Sequence, residues 1–175
     1  MFGKWIGLTL FLNSLAYPCQ KVTITFKQYE NLTQIRQKGC DNEVVCRTLI
    51  SIALLESSLG LNNKREKSLK DTSYSMFHIT LNTAKKFYPT YSKTLLKYKL
   101  LNDVDFAIQL AKQILKENFD YYKQKYPNKS VYQLVEMAIG TYNGGMKHNP
   151  NGAYVKKFRC IYSQVRYTAQ SILIL

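Results

Sequence analysis

Apolar residues recur along the chain with the spacing of buried helix faces. Val45, Leu49 and Ile52 stand at i, i+4 and i+7, and Glu56 continues the same stripe at i+11, the period of one face of an α-helix. The pattern predicts a helix over residues 42–58, with Asp41 placed to cap it, that closes its buried face with a carboxylate. A second stripe repeats the arrangement: Val131, Val135 and Ala138 are followed at i+11 by Tyr142. There Ser130 and Gln133 have the spacing of a capping box, and Gly144-Gly145 supplies the stop. The longest predicted helix, residues 103–126, buries Val104, Ala107, Ile108, Ala111, Ile114, Leu115 and Phe119. Weaker signals predict a helix from near Thr80 that ends before Pro89, and further helix around residues 155–171. Residues 22–26 alternate with β-branched side chains and read as a short strand, whereas residues 61–72, rich in Lys and Asn, read as a loop. The expected fold class is mainly α, one helical domain with at most a minor β element.

The N-terminus changes that picture. Lys4 precedes an apolar run over residues 6–12 that is too short to span a bilayer, and Ser14-Leu15-Ala16 has small residues where a signal peptidase reads. Residues 1–16 are therefore expected to be a signal peptide and residues 17–175 the exported domain, with the periplasm as its compartment. Export makes Cys19, Cys40, Cys46 and Cys160 disulfide candidates rather than metal ligands, and neither a CxxC pair nor a histidine cluster points to a metal. Four cysteines allow three pairings. Cys40–Cys46 would staple the start of the first helix, and Cys19–Cys160 would join the two ends.

The net charge is +14, from 25 Lys and Arg against 11 Asp and Glu. Such a balance favours an anionic polymer or surface. Export argues against nucleic acid, and the basic residues are scattered rather than gathered in one run. No strongly basic amphipathic helix suggests membrane insertion.

Two helices that each end a buried stripe in a polar group suggest that those ends meet at one cleft. A carboxyl group against apolar neighbours has its charged form disfavoured, so the Val45, Leu49 and Ile52 stripe is expected to raise Glu56 toward roughly 6, where it can serve as a general acid. A tyrosine hydroxyl nearby would hold it in orientation.

The order of short motifs carries a resemblance. Glu56-Ser57 comes first, then Ser73-Tyr74-Ser75-Met76-Phe77-His78-Ile79-Thr80 leading into Thr83-Ala84, then Ala138-Ile139-Gly140-Thr141-Tyr142-Asn143-Gly144-Gly145. Over residues 44–145 this resembles the lytic transglycosylase family with its soluble-transglycosylase (SLT) catalytic domain. The resemblance implies a lysozyme-like fold that needs no cofactor and cleaves the β-1,4 bond between N-acetylmuramic acid and N-acetylglucosamine of peptidoglycan, leaving 1,6-anhydromuropeptides. It implies Glu56 as the catalytic acid/base, with Ser57 ordering the site, Tyr142 hydrogen-bonding Glu56 and Asn143 beside it. Ser73, Tyr74, Ser75, Met76, Phe77, His78 and Ile79 would form the sugar-binding segment. The sequence departs from the family pattern at Ser75, where glycine is usual, at His78, where glutamine is usual, and at Gly144, where alanine is usual.

Ordinary glycoside hydrolysis uses two carboxylates, and the second and third motifs contain none. Asp71, fifteen residues after Glu56, is the candidate second carboxylate of an alternative reading, a lysozyme-type muramidase. A further alternative is a non-catalytic peptidoglycan-binding protein of the same fold. Beyond glycan strands, expected partners are components of a secretion, conjugation or flagellar assembly that a small wall-opening enzyme would serve.

Overall fold

Helix α2, Glu43–Ser57, runs through the middle of the molecule because its sequence is apolar on nearly every side. Leu49, Ile50, Ile52 and Ala53 have no exposed surface, as expected of a helix that is hydrophobic all round. The polar residues within it bond to their own helix: Thr48 Oγ1 donates to the Val44 carbonyl and Ser51 Oγ to that of Arg47, each at 2.7 Å. Asn42 caps it by accepting from the Val45 amide at 3.0 Å, one residue after the predicted cap. The computed structural model describes residues 24–66, 72–144, 152–167 and 172–174.

Before α2 lies a helix absent from the sequence expectation: α1, Phe26–Gly39. Ile24 and Thr25 are irregular, so the strand expected over residues 22–26 is corrected for its described part. Thr25 closes a capping box with Gln28 instead. The buried positions of α1 are Gln28, Leu32, Ile35 and Gly39, the same i, i+4, i+7, i+11 spacing as in α2 but with a polar residue and a glycine at its ends. Gly39 lets α1 approach the core, where a Cβ would lie 2.8 Å from Leu49 Cδ1 and 2.9 Å from Ile108 Cγ2. The Cys40–Cys46 disulfide ties the end of α1 to the first turns of α2. Cys160 is disulfide-bonded as well, and the candidate partner Cys19 lies outside the described residues.

After α2 the chain forms a three-stranded antiparallel sheet of β1 (Lys64–Glu66), β2 (Thr72–Tyr74) and β3 (Ile79–Thr80). The register places Arg65 opposite Ser73 and Tyr74 opposite Ile79. Thr80 then caps α3, Leu81–Phe87. Helix α4, Lys93–Asn102, is a second unpredicted helix, anchored by the buried Leu96 and Leu100, with the half-buried Leu101 beside them. Asp103 caps α5, Val104–Lys125, which buries Ala107, Ile108, Ala111, Ile114 and Leu115. The predicted Ser130–Gln133 capping box opens α6, Val131–Gly144, although Val131 is 54% exposed and so stands outside its stripe. Helix α7, Ala153–Gln164, leads into a two-stranded pair, β4 (Val165–Tyr167) with β5 (Ile172–Ile174). Among the described residues no helix is long and apolar enough to cross a membrane.

Candidate active site

The end of α2 is a tight left-handed turn. Ser58, Leu59 and Gly60 all have positive φ, at 52°, 54° and 85°, a conformation that costs an L side chain free energy unless its surroundings fix it. Helix α1 supplies the fixing groups. Gln28 Nε2 donates to the Ser58 carbonyl at 2.8 Å and Asn31 Nδ2 to the Leu59 carbonyl at 2.7 Å. Leu59 itself is wholly buried. Ser57 locks the turn to the next motif, donating to the Met76 carbonyl at 2.7 Å and accepting the Gly60 amide at 2.7 Å.

This turn leaves Glu56 facing inward, its side chain 2% exposed. Three side chains reach its carboxylate. Tyr154 Oη of α7 donates to Oε1 at 2.6 Å. Arg65 Nη1 of β1 lies 3.1 Å from Oε2, and His78 Nδ1 lies 3.2 Å from the same oxygen. None of the three is a carboxylate, and Asp71 lies outside the described residues. Arg65 is the partner with an open side, 37% exposed.

His78 ends the β2–β3 turn, which begins at Ser75. Both residues have positive φ, 71° at Ser75 and 47° at His78, and the His78 amide donates to the Ser75 carbonyl at 3.2 Å. The left-handed Ser75 accounts for the family's preference for glycine there; its hydroxyl accepts the Phe77 amide at 3.2 Å, which ties down the strained turn. His78 uses both ring nitrogens, for Nε2 lies 2.7 Å from the carbonyl oxygen of Asn62. A carbonyl only accepts, so Nε2 carries a hydrogen.

The expected Tyr142–Glu56 bond is corrected. Tyr142 donates its one hydroxyl hydrogen to the Phe77 carbonyl at 2.8 Å, and the phenol on Glu56 is Tyr154. Asn143 is exposed at the end of α6. The segment from Ser73 to Ile79 is buried at every position, with Phe77 at 0% exposure. Its side chains pack inward, and its Met76 and Phe77 carbonyls accept from Ser57 and Tyr142, which holds both beside Glu56.

The expected elevation of Glu56 is also corrected. Burial pushes its carboxyl upward, but the hydrogen bonds from His78 and Tyr154 and the charges of Arg65 and His78 outweigh that, so Glu56 sits below its ordinary value of 4.5. Apolar neighbours alone would have raised it; three polar partners converging on two oxygens reverse the balance. Burial, and next the negative charge of Glu56, push the hydroxyls of Tyr142 and Tyr154 well above the ordinary tyrosine value, so both remain protonated donors.

Arg65 and Tyr154 escaped sequence reasoning. Arg65 sits among other cations in a stretch read as loop, and Tyr154 stands 98 residues from Glu56 outside every motif. Gln28 and Asn31 went with the unrecognised α1, although Thr25-x-x-Gln28 is a capping-box signature that marks its start.

A mainly α domain with a small antiparallel sheet, whose central helix ends in a buried glutamate, defines a lysozyme-like protein. Residues 33–159 match the family model described as Transglycosylase SLT domain, a span running from α1 into α7. The chain belongs to the Transglycosylase SLT domain family, and at family level it is a lytic transglycosylase acting on peptidoglycan. No curated protein and no solved structure compared with the chain matches it.

Proposed function

We propose that this chain cleaves the bond between N-acetylmuramic acid and N-acetylglucosamine with Glu56 as its single acid/base, forming a 1,6-anhydro sugar. Glu56 gives a proton to the glycosidic oxygen as the bond from that oxygen to muramoyl C1 breaks. The resulting carboxylate takes the proton of the muramoyl C6 hydroxyl as O6 bonds to C1. One proton leaves Glu56 and one returns, so no second carboxylate and no water is consumed. The substrate's own acetamido group shares the positive charge at C1 between the two steps.

The observation that carries this reading is the setting of Glu56: a buried carboxylate held by a phenol, an imidazole and a guanidinium. Tyr154 orients Oε1, Ser57 fixes the turn that aims Glu56, and Tyr142 holds the Phe77 backbone. Arg65, on the open side, is the cation a glycan strand meets first. Asn143 touches sugar in this reading, which its exposure at the end of α6 supports. Residues 1–16 act as the export signal, which delivers residues 17–175 to the periplasm, where this strongly basic domain meets the wall and any assembly that crosses it.

Mass analysis of fragments released from purified peptidoglycan tests the reading. The expected muropeptides end in 1,6-anhydromuramic acid, one water lighter than hydrolysis products. Fragments with a reducing muramic acid end would make water the nucleophile and bring Asp71 forward as second carboxylate.

A further inference from the structure

We propose that His78 is a positioning residue that stores the proton with which Glu56 acts as an acid. The inference rests on the reading of Glu56 as acid/base and addresses a difficulty in it: the groups around Glu56 favour the carboxylate, yet the first step needs the acid.

The geometry of the ring supplies the answer. Nε2 is 2.7 Å from the Asn62 carbonyl oxygen, a backbone acceptor pinned by the Asn62 amide bonded to the Ser57 carbonyl at 3.1 Å. Nε2 therefore keeps its hydrogen in every bonded state. Nδ1 faces Glu56 Oε2 at 3.2 Å, with both side chains 2% exposed. That contact is satisfied when one proton lies between the two groups, as imidazolium with carboxylate or as neutral imidazole with carboxylic acid. With no proton there, a nitrogen lone pair faces an oxygen lone pair in a site shut off from water.

The two one-proton forms interconvert by a single transfer. The N–H bond at Nδ1 breaks, an O–H bond forms at Oε2, and the ring becomes neutral while keeping its Nε2–H on Asn62. Arg65 on the remaining lone pair of Oε2 and Tyr154 on Oε1 are compatible with both forms, because each only donates. Glu56 then gives that proton to the glycosidic oxygen, recovers one from the C6 hydroxyl, and the pair returns to its starting state. The titratable and charged groups facing the pair among the described residues are Arg65 from β1, Tyr154 from α7 and Tyr142 from α6; none of them supplies a proton near neutral pH, since both tyrosines hold theirs and arginine does not deprotonate in proteins.

The glutamine usual at this position in the family pattern donates a hydrogen bond as well but stores no proton. The two side chains therefore differ in pH dependence. In the native protein the fraction of Glu56 in acid form is constant while the pair holds one proton, so kcat/KM has a plateau that ends where the pair loses it. The limits of that plateau belong to the pair rather than to either residue. In His78→Gln the acid form must take its proton from solvent, so kcat/KM falls about tenfold per pH unit above the Glu56 midpoint.

The test combines two measurements on the whole chain. Ring-nitrogen NMR of histidine-labelled protein, which contains two histidines, needs no substrate. The neutral His78 ring is expected to carry its hydrogen on Nε2, and the His78 ring and the Glu56 carboxyl carbon are expected to report the same titration. A neutral ring protonated on Nδ1, or independent titrations, overturns the proposal. The second measurement is kcat/KM against pH for wild type and His78→Gln, with thermal unfolding as the check on folding. The basic limb is expected to move to lower pH by about one unit or more, and an unmoved limb in a folded variant overturns the proposal. Reducing-end products together with a shifted limb would sink the transglycosylase reading while supporting the proton store; anhydro products with an unmoved limb would do the reverse.

Discussion

Tyr154 donates its hydroxyl hydrogen to Glu56 Oε1 at 2.6 Å, joining α7 to the end of α2. A hydrogen bond to a charged group contributes roughly 1.5–3 kcal/mol. Tyr154→Phe is expected to lower kcat about tenfold or more, because Oε1 loses its orienting donor. Tyr142→Phe is expected to act differently. It strands the Phe77 carbonyl that Tyr142 now satisfies, at a cost of about 1–3 kcal/mol, and so lowers the unfolding midpoint more than it lowers turnover. Steady-state rates and denaturant curves of the two variants, side by side, separate the roles.

Gly39 gives the fold its own test. Its missing Cβ is where Leu49 and Ile108 approach, at 2.8 and 2.9 Å, and both of those side chains are wholly buried. Gly39→Ala is expected to destabilise the protein by about 1–3 kcal/mol through overpacking, despite alanine's better helix propensity. Denaturant unfolding reads the change; a stabilised variant would mean that α1 does not dock as closely as described.

The Cys40–Cys46 bridge closes a short loop, with a sequence separation of 6. Loop-closure entropy for so short a loop amounts to about 2 kcal/mol. Replacing both cysteines with serine is expected to lower stability by about that amount, leaving α1 and α2 paired through Leu32, Ile35 and Leu49. Urea unfolding of the double variant checks it.

What could be read in the sequence depended on whether apolar periodicity was intact. Helices α2, α5 and α6 announced themselves because Leu49 and Ile52, Ala111 and Ile114, and Val135 and Ala138 repeat at helical spacing. Helix α1 has that spacing too, but Gln28 and Gly39 occupy two of its buried positions, each for a reason visible only in three dimensions: one bonds the Ser58 carbonyl and the other admits Leu49 and Ile108. Helix α4 buries Leu96 and Leu100 and half-buries Leu101, too few positions to define a period. At the site, Glu56, Ser57 and His78 were accessible through their motifs. Arg65 and Tyr154 were not, because their roles come from sheet register and from the docking of α7. Charge on Glu56 was misjudged for the same reason, since desolvation by the α2 stripe was legible, whereas Arg65, Tyr154 and the contact of His78 with Glu56 were not.

Acid stability follows from that charge. Glu56 lies below its ordinary value of 4.5 in the folded protein, so its ionised form favours folding. That contribution is complete above the ordinary glutamate value and is lost as pH falls through the lower folded value. Glu56→Gln is expected to flatten the part of the stability-versus-pH curve below about pH 4.5, measured by thermal unfolding from neutral to acid pH. A curve as steep as that of wild type would mean that Glu56 is not held ionised by His78, Tyr154 and Arg65.

The turnover of Glu56→Gln on purified peptidoglycan, followed by release of anhydromuropeptides, tests the central claim most directly. Glutamine keeps the shape of the side chain but has no proton to exchange, and both proton transfers of the proposed reaction pass through this one group. Removing a general acid/base usually costs about 10²–10⁴-fold, so the variant is expected to bind glycan strands, remain folded and lose activity by at least that range. Wild-type turnover in Glu56→Gln would contradict the assignment of the site.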